Sequence, residues 1–135
     1  MELADTSVWG KRGRPGVAIW FPQALLDGSI AVCDMVAMEI LTSARDHADF
    51  VALEGALEAC PWVKVETLDW DRARSVYREL ARRPLHHRAV KIPDLLIAAC
   101  AERAGLTVVH YDEDYERIAA ITGQPIRWAA PRGSL

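Results

Sequence analysis

The sequence is poor in several things, and each shortage removes a class of protein. Nothing in its 135 residues approaches the ~18 uninterrupted apolar residues of a membrane span, so no membrane association is expected. The opening Met1-Glu2-Leu3-Ala4-Asp5 lacks the basic start and apolar core of a secretion signal, and a cytoplasmic chain is expected. Cysteines are few. Cys33, Cys60 and Cys100 are odd in number, far apart and set among apolar neighbours, which fits reduced core thiols better than a disulfide framework or a zinc site. There is no large excess of one charge: the net −3 and pI near 5.8 argue against a general nucleic-acid coat protein. They leave room for a nucleic-acid enzyme, whose acidic centre offsets basic residues elsewhere. Repeats, low-complexity runs and linkers are also absent, so residues 1–135 are expected to form a single domain.

The stretch from Lys91 to Asp114 holds the strongest pattern. Ile92-Pro93-Asp94 suits the first turn of a helix, where proline's missing N–H has no partner to lose and an acidic group favours the dipole. Leu95 to Ala101 then has no polar position, so this helix must be buried on nearly every side, and Gly105 stops it. Leu106 to Val109 reads as a buried parallel strand. Its carboxyl end delivers His110, Asp112, Glu113 and Asp114.

Elsewhere strands and helices alternate. Glu2 to Ala4, Ile30 to Val32 and Trp62 to Val65 are strand candidates, and Pro125 to Trp128 is a possible edge strand. Helices are expected from Val17 to Leu26, disturbed at Pro22; after a capping Asp34, through Leu41; from Asp46 to Cys60; after a capping Asp69; and from Asp112 to Thr122. Gly10 to Gly16, GKRGRPG, lacks P-loop spacing and reads as a mobile basic connection. The apolar run Val17, Ile19, Trp20, Phe21 exceeds what one small domain readily buries and suggests an interface. Strand–helix alternation implies an α/β fold, a short parallel sheet with helices on both faces, and a site beyond the carboxyl ends of its strands. Asp5, Glu39, Asp94, Asp112 and Asp114 can all converge there. Carboxylates so gathered repel, and a divalent cation is the simplest offset.

Four blocks carry a family resemblance: Asp5-Thr6-Ser7-Val8-Trp9, Met38-Glu39-Ile40-Leu41, Ile92-Pro93-Asp94 with its alanine-rich helix, and His110-Tyr111-Asp112-Glu113-Asp114-Tyr115. In this order they resemble the acidic blocks of the PIN domain, and in particular the VapC toxins of type II toxin–antitoxin pairs. The resemblance implies a three-layer PIN-like fold and a Mg²⁺- or Mn²⁺-dependent endoribonuclease, held inactive by a VapB-type antitoxin and expected to form a homodimer. It implies that Asp5, Glu39, Asp94 and Asp112 are catalytic and act as metal ligands, with Asp114 as a further or water-mediated ligand. Ser7 matches the small polar position beside the first aspartate, and is expected near substrate.

The chemistry requires these residue types independently. Mg²⁺ and Mn²⁺ prefer oxygen ligands and can activate water for attack on phosphorus. Arg82, Arg83, Arg88 and Lys91 lead into Asp94 and are expected to guide RNA phosphates toward it. A metal-free ribonuclease would instead need histidines such as His86, His87 or His110 as acid and base. Each acid also has an ordinary reading as a helix cap or first-turn charge, and the basic segment as a solvated face. Two further function classes stay open at this point: a Mg²⁺-dependent phosphotransfer or phosphatase-like protein, although DxDxT is absent, and a catalytically silent binding module.

Overall fold

The computed structural model describes residues 1–84 and 89–135; the expectations for Arg88, His86 and His87 lie outside the described residues. Five strands form one sheet: β1 (Glu2–Ala4), β2 (Ile30–Cys33), β3 (Trp62–Val63), β4 (Thr107–His110) and β5 (Ile126–Trp128). Their order is β3-β2-β1-β4-β5 and every pairing is parallel. Parallel neighbours need crossovers, and helices supply them. Helices α1 (Thr6–Gly10), α2 (Pro15–Ala18) and α3 (Phe21–Leu26) join β1 to β2, while α4 (Asp34–Leu41) and α5 (His47–Glu58) join β2 to β3. Helices α6 (Thr67–Leu80) and α7 (Ile92–Ala104) precede β4, and α8 (Asp114–Thr122) precedes β5. The sheet grows to one side of β1 and then to the other. The switch in strand order therefore falls between β1 and β4, and the crevice beyond their carboxyl ends is where such sheets bind ligands.

The central strands are apolar because both their faces are covered: Leu3, Ala4, Val32, Val108 and Val109 have no exposure. Helix α7 is buried from Asp94 through Ala101, as its unbroken apolar run requires. Gly105, at φ 69°, ends it in the left-handed region that favours glycine. Helix α6 turns Asp69, Ala73, Val76 and Leu80 inward, a spacing of four, three and four residues that keeps one face against the core.

Several sequence expectations need correction. Asp69 is not the cap of α6. Glu66 holds that place, and Asp69 stands three residues on, with Oδ2 accepting the Glu66 N–H at 2.8 Å. Asp34 likewise lies inside α4, after Cys33, and accepts from Trp62 Nε1 and Val65 N. The stretch 17–26 is two short helices, because Pro22 fits only a first turn and so opens α3. The basic connection ends in a defined helix opened by Pro15, not in an open loop. The last helix begins at Asp114 with Glu113 at its N-cap; Asp112 stands before both, its Oδ1 accepting the Asp114 N–H at 3.0 Å. The supposed apolar interface is also wrong in part. Val17 and Phe21 are core residues, Phe21 stacking edge-on with Trp9 at 5.1 Å, and only Ile19 of that group is fully exposed. Among the described residues, no helix is long and apolar enough to cross a membrane.

Candidate metal centre

Strand β1 ends at Ala4 because Asp5 turns the chain into α1. The Asp5 N–H still donates to Val109 O of β4 at 2.9 Å, which locks it to the switch point. Its carboxylate is held from two directions. Oδ2 accepts Ser7 N–H at 3.0 Å and the Ser7 hydroxyl at 2.5 Å, while Oδ1 accepts the Tyr115 hydroxyl at 2.6 Å. Ser7 Oγ in turn accepts the Tyr111 N–H at 2.9 Å, so the turns after β1 and β4 share one hydroxyl. Burial and the neighbouring Asp5 charge push the Tyr115 phenol well above its ordinary range, so it stays a donor.

The first turn of α7 and the turn after β4 bring three acids together. Oxygens of Asp94, Asp112 and Asp114 lie within 4.8 Å of one another, and Asp94 and Asp114 are buried. Asp94 Oδ2 is buried without a hydrogen-bond partner. Burial, then the Asp5 charge, raises the Asp94 carboxyl to about 8. Lys91 enters this triplet. Its ammonium lies 2.6 Å from Asp112 Oδ2, 3.2 Å from Asp114 Oδ2 and 3.5 Å from Asp94 Oδ2, and its backbone N–H donates to Asp114. Burial works to lower the ammonium's pKa, but the bond to Asp112 and the surrounding charges raise it further. Asp114 is also gripped by Arg117 at 3.0 Å. Although burial opposes it, the Lys91 N–H, the Asp94 carboxyl and the Lys91 ammonium hold Asp114 below its ordinary value.

The other expected residues are placed as follows. Asp5 stands outside the close triplet, although its charge acts on Asp94. Glu39 is also outside it; Oε1 accepts the Thr6 hydroxyl at 2.8 Å, which ties α4 to the residue after Asp5. Ser7 grips Asp5. Arg82 and Arg83 are exposed just after α6, with Arg82 loosely paired to Glu79 at 3.8 Å and Arg83 lining a hollow of about 190 Å³ beside Arg117. His110 is buried, its Nδ1 accepting the Asp112 N–H, and burial lowers its pKa, so it is a neutral structural group. Arg117 escaped the sequence reading, and Tyr115 entered it only as the last residue of the fourth block, with no role of its own. The helical spacing of Asp114 and Arg117, three residues apart, could have suggested the second pair.

The donor set is all oxygen, one buried oxygen lacks a partner, and an ammonium already sits among the carboxylates. Those features suit a hard divalent cation. A model of the PIN domain family matches residues 3–121. The chain belongs to the PIN-domain family. Among its relatives, Ribonuclease VapC18 of Mycobacterium tuberculosis is 49% identical over 132 residues, covering 97% of this chain and 96% of the relative. Ribonuclease VapC51 of the same organism is 39% identical over 133 residues, covering 98% and 96%. This PIN domain is thus a member of the VapC ribonucleases. In fold it also resembles the solved structure of DNA-bound VapBC from Salmonella typhimurium, with a TM-score of 0.73 at 22% identity over 96% of this chain and 100% of the other. The expected three-layer parallel architecture is the one found.

Proposed function

We propose that the protein is a metal-dependent endoribonuclease toxin of the VapC kind, acting as one unit over residues 1–135. The observation that carries this reading is the close carboxylate triplet, in which the buried Asp94 Oδ2 has no hydrogen-bond partner. Asp94, Asp112 and Asp114 would hold Mg²⁺ or Mn²⁺ together with Asp5, and Glu39 would support the Asp5 turn through Thr6. When bound, such an ion supplies positive charge to the phosphate and acidifies water for attack on phosphorus. Asp5 contributes a fixed carboxylate, because Ser7 and Tyr115 prevent its rotation. Lys91, freed from the triplet, would pair with a phosphate oxygen, and Arg82 and Arg83 would draw the strand in. Single-stranded or looped RNA is the substrate such an open site can engage, since an A-form helix holds its backbone away. The phosphotransfer and silent-module alternatives are not favoured by the family.

The partner would be a VapB-type antitoxin, by likeness to the VapBC complexes of similar fold. An inserted Arg or Lys of that partner would use the same charge-assisted pairing by which the triplet holds Lys91. A second copy would cover the face where α6 meets α7. Trp70, Tyr77 and Ile92 are exposed there around a hollow of about 320 Å³.

The test is incubation of partner-free protein with single-stranded RNA and Mn²⁺, with 5′ ends of the products sequenced. Fragments bearing 5′ phosphates, lost on adding chelator, are the expected result; undiminished cleavage in chelator would overturn the mechanism.

A further inference from the structure

A hollow of about 410 Å³ opens beside the carboxylate triplet, and the residues lining it include Tyr111, Asp112, Glu113, Trp128 and Arg132. Asp112 belongs to both, so a group that enters the hollow lies against the candidate metal centre. The rings of Tyr111 and Trp128 meet edge to face, with centroids 5.4 Å apart at 89°, so a flat group laid on one ring turns its edge to the other. Both rings also carry a cation. Lys11 Nζ lies 5.2 Å from the centre of Tyr111 and the Arg132 guanidinium 5.7 Å from that of Trp128, charges that favour an anionic strand at this edge. We propose that the hollow holds one unstacked base of the RNA strand next to the cut bond, and that Glu113 selects guanine there. Its place beside a cut bond rests on the endoribonuclease reading above.

The choice of base follows from hydrogen-bonding capacity. Glu113 Oε1 accepts from Arg132 Nη2 at 2.5 Å and Oε2 from Arg117 Nη2 at 3.4 Å, which leaves each oxygen a further acceptor site. The side chain is half-exposed, so a ligand can reach those sites. Guanine alone among the RNA bases presents two adjacent donors, N1–H and the 2-amino group, on its pairing edge. Adenine and cytosine set one amino group beside a bare ring nitrogen, and uracil flanks its one N–H with carbonyls; a carboxylate is repelled by the acceptors in both arrangements. Single-stranded RNA is read in this way, by stacking on aromatic rings and bonding along the pairing edge. Backbone bonds fix the shape of the hollow. Leu135 N–H donates to the Tyr111 hydroxyl at 2.9 Å and Ala129 N–H to His110 O at 2.8 Å, which holds the turn after β5 against the turn after β4.

The test is binding of fluorescently labelled oligouridine carrying one guanine or one adenine, followed by anisotropy in chelator so that cleavage does not intervene. Wild-type protein should bind the guanine oligomer about tenfold more tightly, within the range of one two-bond contact to a base. Glu113→Gln replaces one acceptor with a donor, which matches adenine, and should reverse the preference. If Glu113 were only a surface charge, the variant would bind both oligomers more tightly and leave their ratio unchanged. That result, or equal wild-type affinity for the two oligomers, would overturn the proposal. Cleavage with Mn²⁺, mapped on the same oligomers, keeps the two readings apart. Guanine-selective binding without any cleavage sinks the nuclease reading and leaves the base site, whereas cleavage with no base preference removes only the base site.

Discussion

Asp69 and Asp94 occupy the same place on successive helices, the third residue of α6 and of α7, and both are buried. Their surroundings differ in charge balance. Asp69 meets Arg103 through Nε at 2.8 Å and a terminal nitrogen at 3.0 Å, and also accepts from Glu66 N and the Cys100 thiol. Burial works to raise its pKa, yet these donors hold Asp69 below the ordinary range. Asp94 Oδ2 has no hydrogen-bond partner and shares one lysine with two other acids, and burial with the Asp5 charge raises its pKa to about 8. Position on a helix therefore does not separate a structural acid from a candidate metal-site acid. The local count of cations against carboxylates does.

Exchanging each for asparagine should pull the two apart most strongly. Asp94→Asn should cut cleavage at least about a hundredfold, since even groups that merely support a metal ligand are worth ten to a hundred. Its metal-free stability should hold or rise slightly, because a carboxyl that is largely protonated at neutral pH gives up little. Asp69→Asn should do the reverse, losing about 2 kcal/mol by leaving Arg103 unmatched, a buried-pair cost discounted because the guanidinium is partly exposed. Denaturant melts in chelator, with cleavage measured per folded molecule, check both.

Removing the lysine should make the contrast steeper. In Lys91→Met the triplet loses its only shared cation among the described residues, and the metal-free protein should lose about 1 kcal/mol. Mn²⁺ should restore more stability to this variant than to the parent. Equal gains in paired melts would detach Lys91 from the metal centre.

The two acids should also give opposite pH dependence. Asp94 keeps its proton in the folded state up to about pH 8, while an unfolded carboxyl releases it near 4, so the folded state binds more protons between those values. Stability of the metal-free protein contributed by this group is thus full below about pH 4 and declines as pH rises to 8. Asp69, with a lowered value, contributes stability above about pH 4 that is lost as pH falls. Melts across pH in chelator should show Asp94→Asn flattening the neutral side of the curve and Asp69→Asn flattening the acid side.

The smallest effect concerns charges outside both sites. Arg82 and Arg83 reversed to Glu should make RNA affinity less salt-dependent, the slope falling by about 1.4 for two lost phosphate contacts. Mn²⁺ affinity should not move. An unchanged salt slope in binding titrations would return both residues to the solvated surface.

Much of this was legible in the sequence because it depends on repeating apolar spacing. The all-apolar run of α7 predicted its burial, and strand–helix alternation predicted the parallel sheet and the edge where the acids meet. Asp69 was misplaced because short polar side chains are the usual caps, whereas here Glu66 takes that place and Asp69 answers Arg103 across 34 positions. No local pattern encodes such a partner. The aim of Lys91 was illegible for the same reason: lying three residues before Asp94 explains one contact, but its shortest bond is to Asp112, 21 positions away. Apolar count also misled, since Val17 and Phe21 found core sites while Trp70 and Tyr77 on α6 remained at the surface.

The placement of β1 between β2 and β4 has a consequence for how the protein is made. Synthesis proceeds from the N-terminus, so β1 can pair with β2 soon after residue 33 appears, but its other edge waits for residues 107–110. Asp5 gains its Tyr115 bond across 110 positions, and Ser7 gains Tyr111 across 104. Contacts so distant along the chain are slow to close. A nascent chain on the ribosome therefore carries Asp5 and Glu39 without their counterparts and stays inert toward the RNA around it. Its hazardous chemistry comes into being only as the last strands dock.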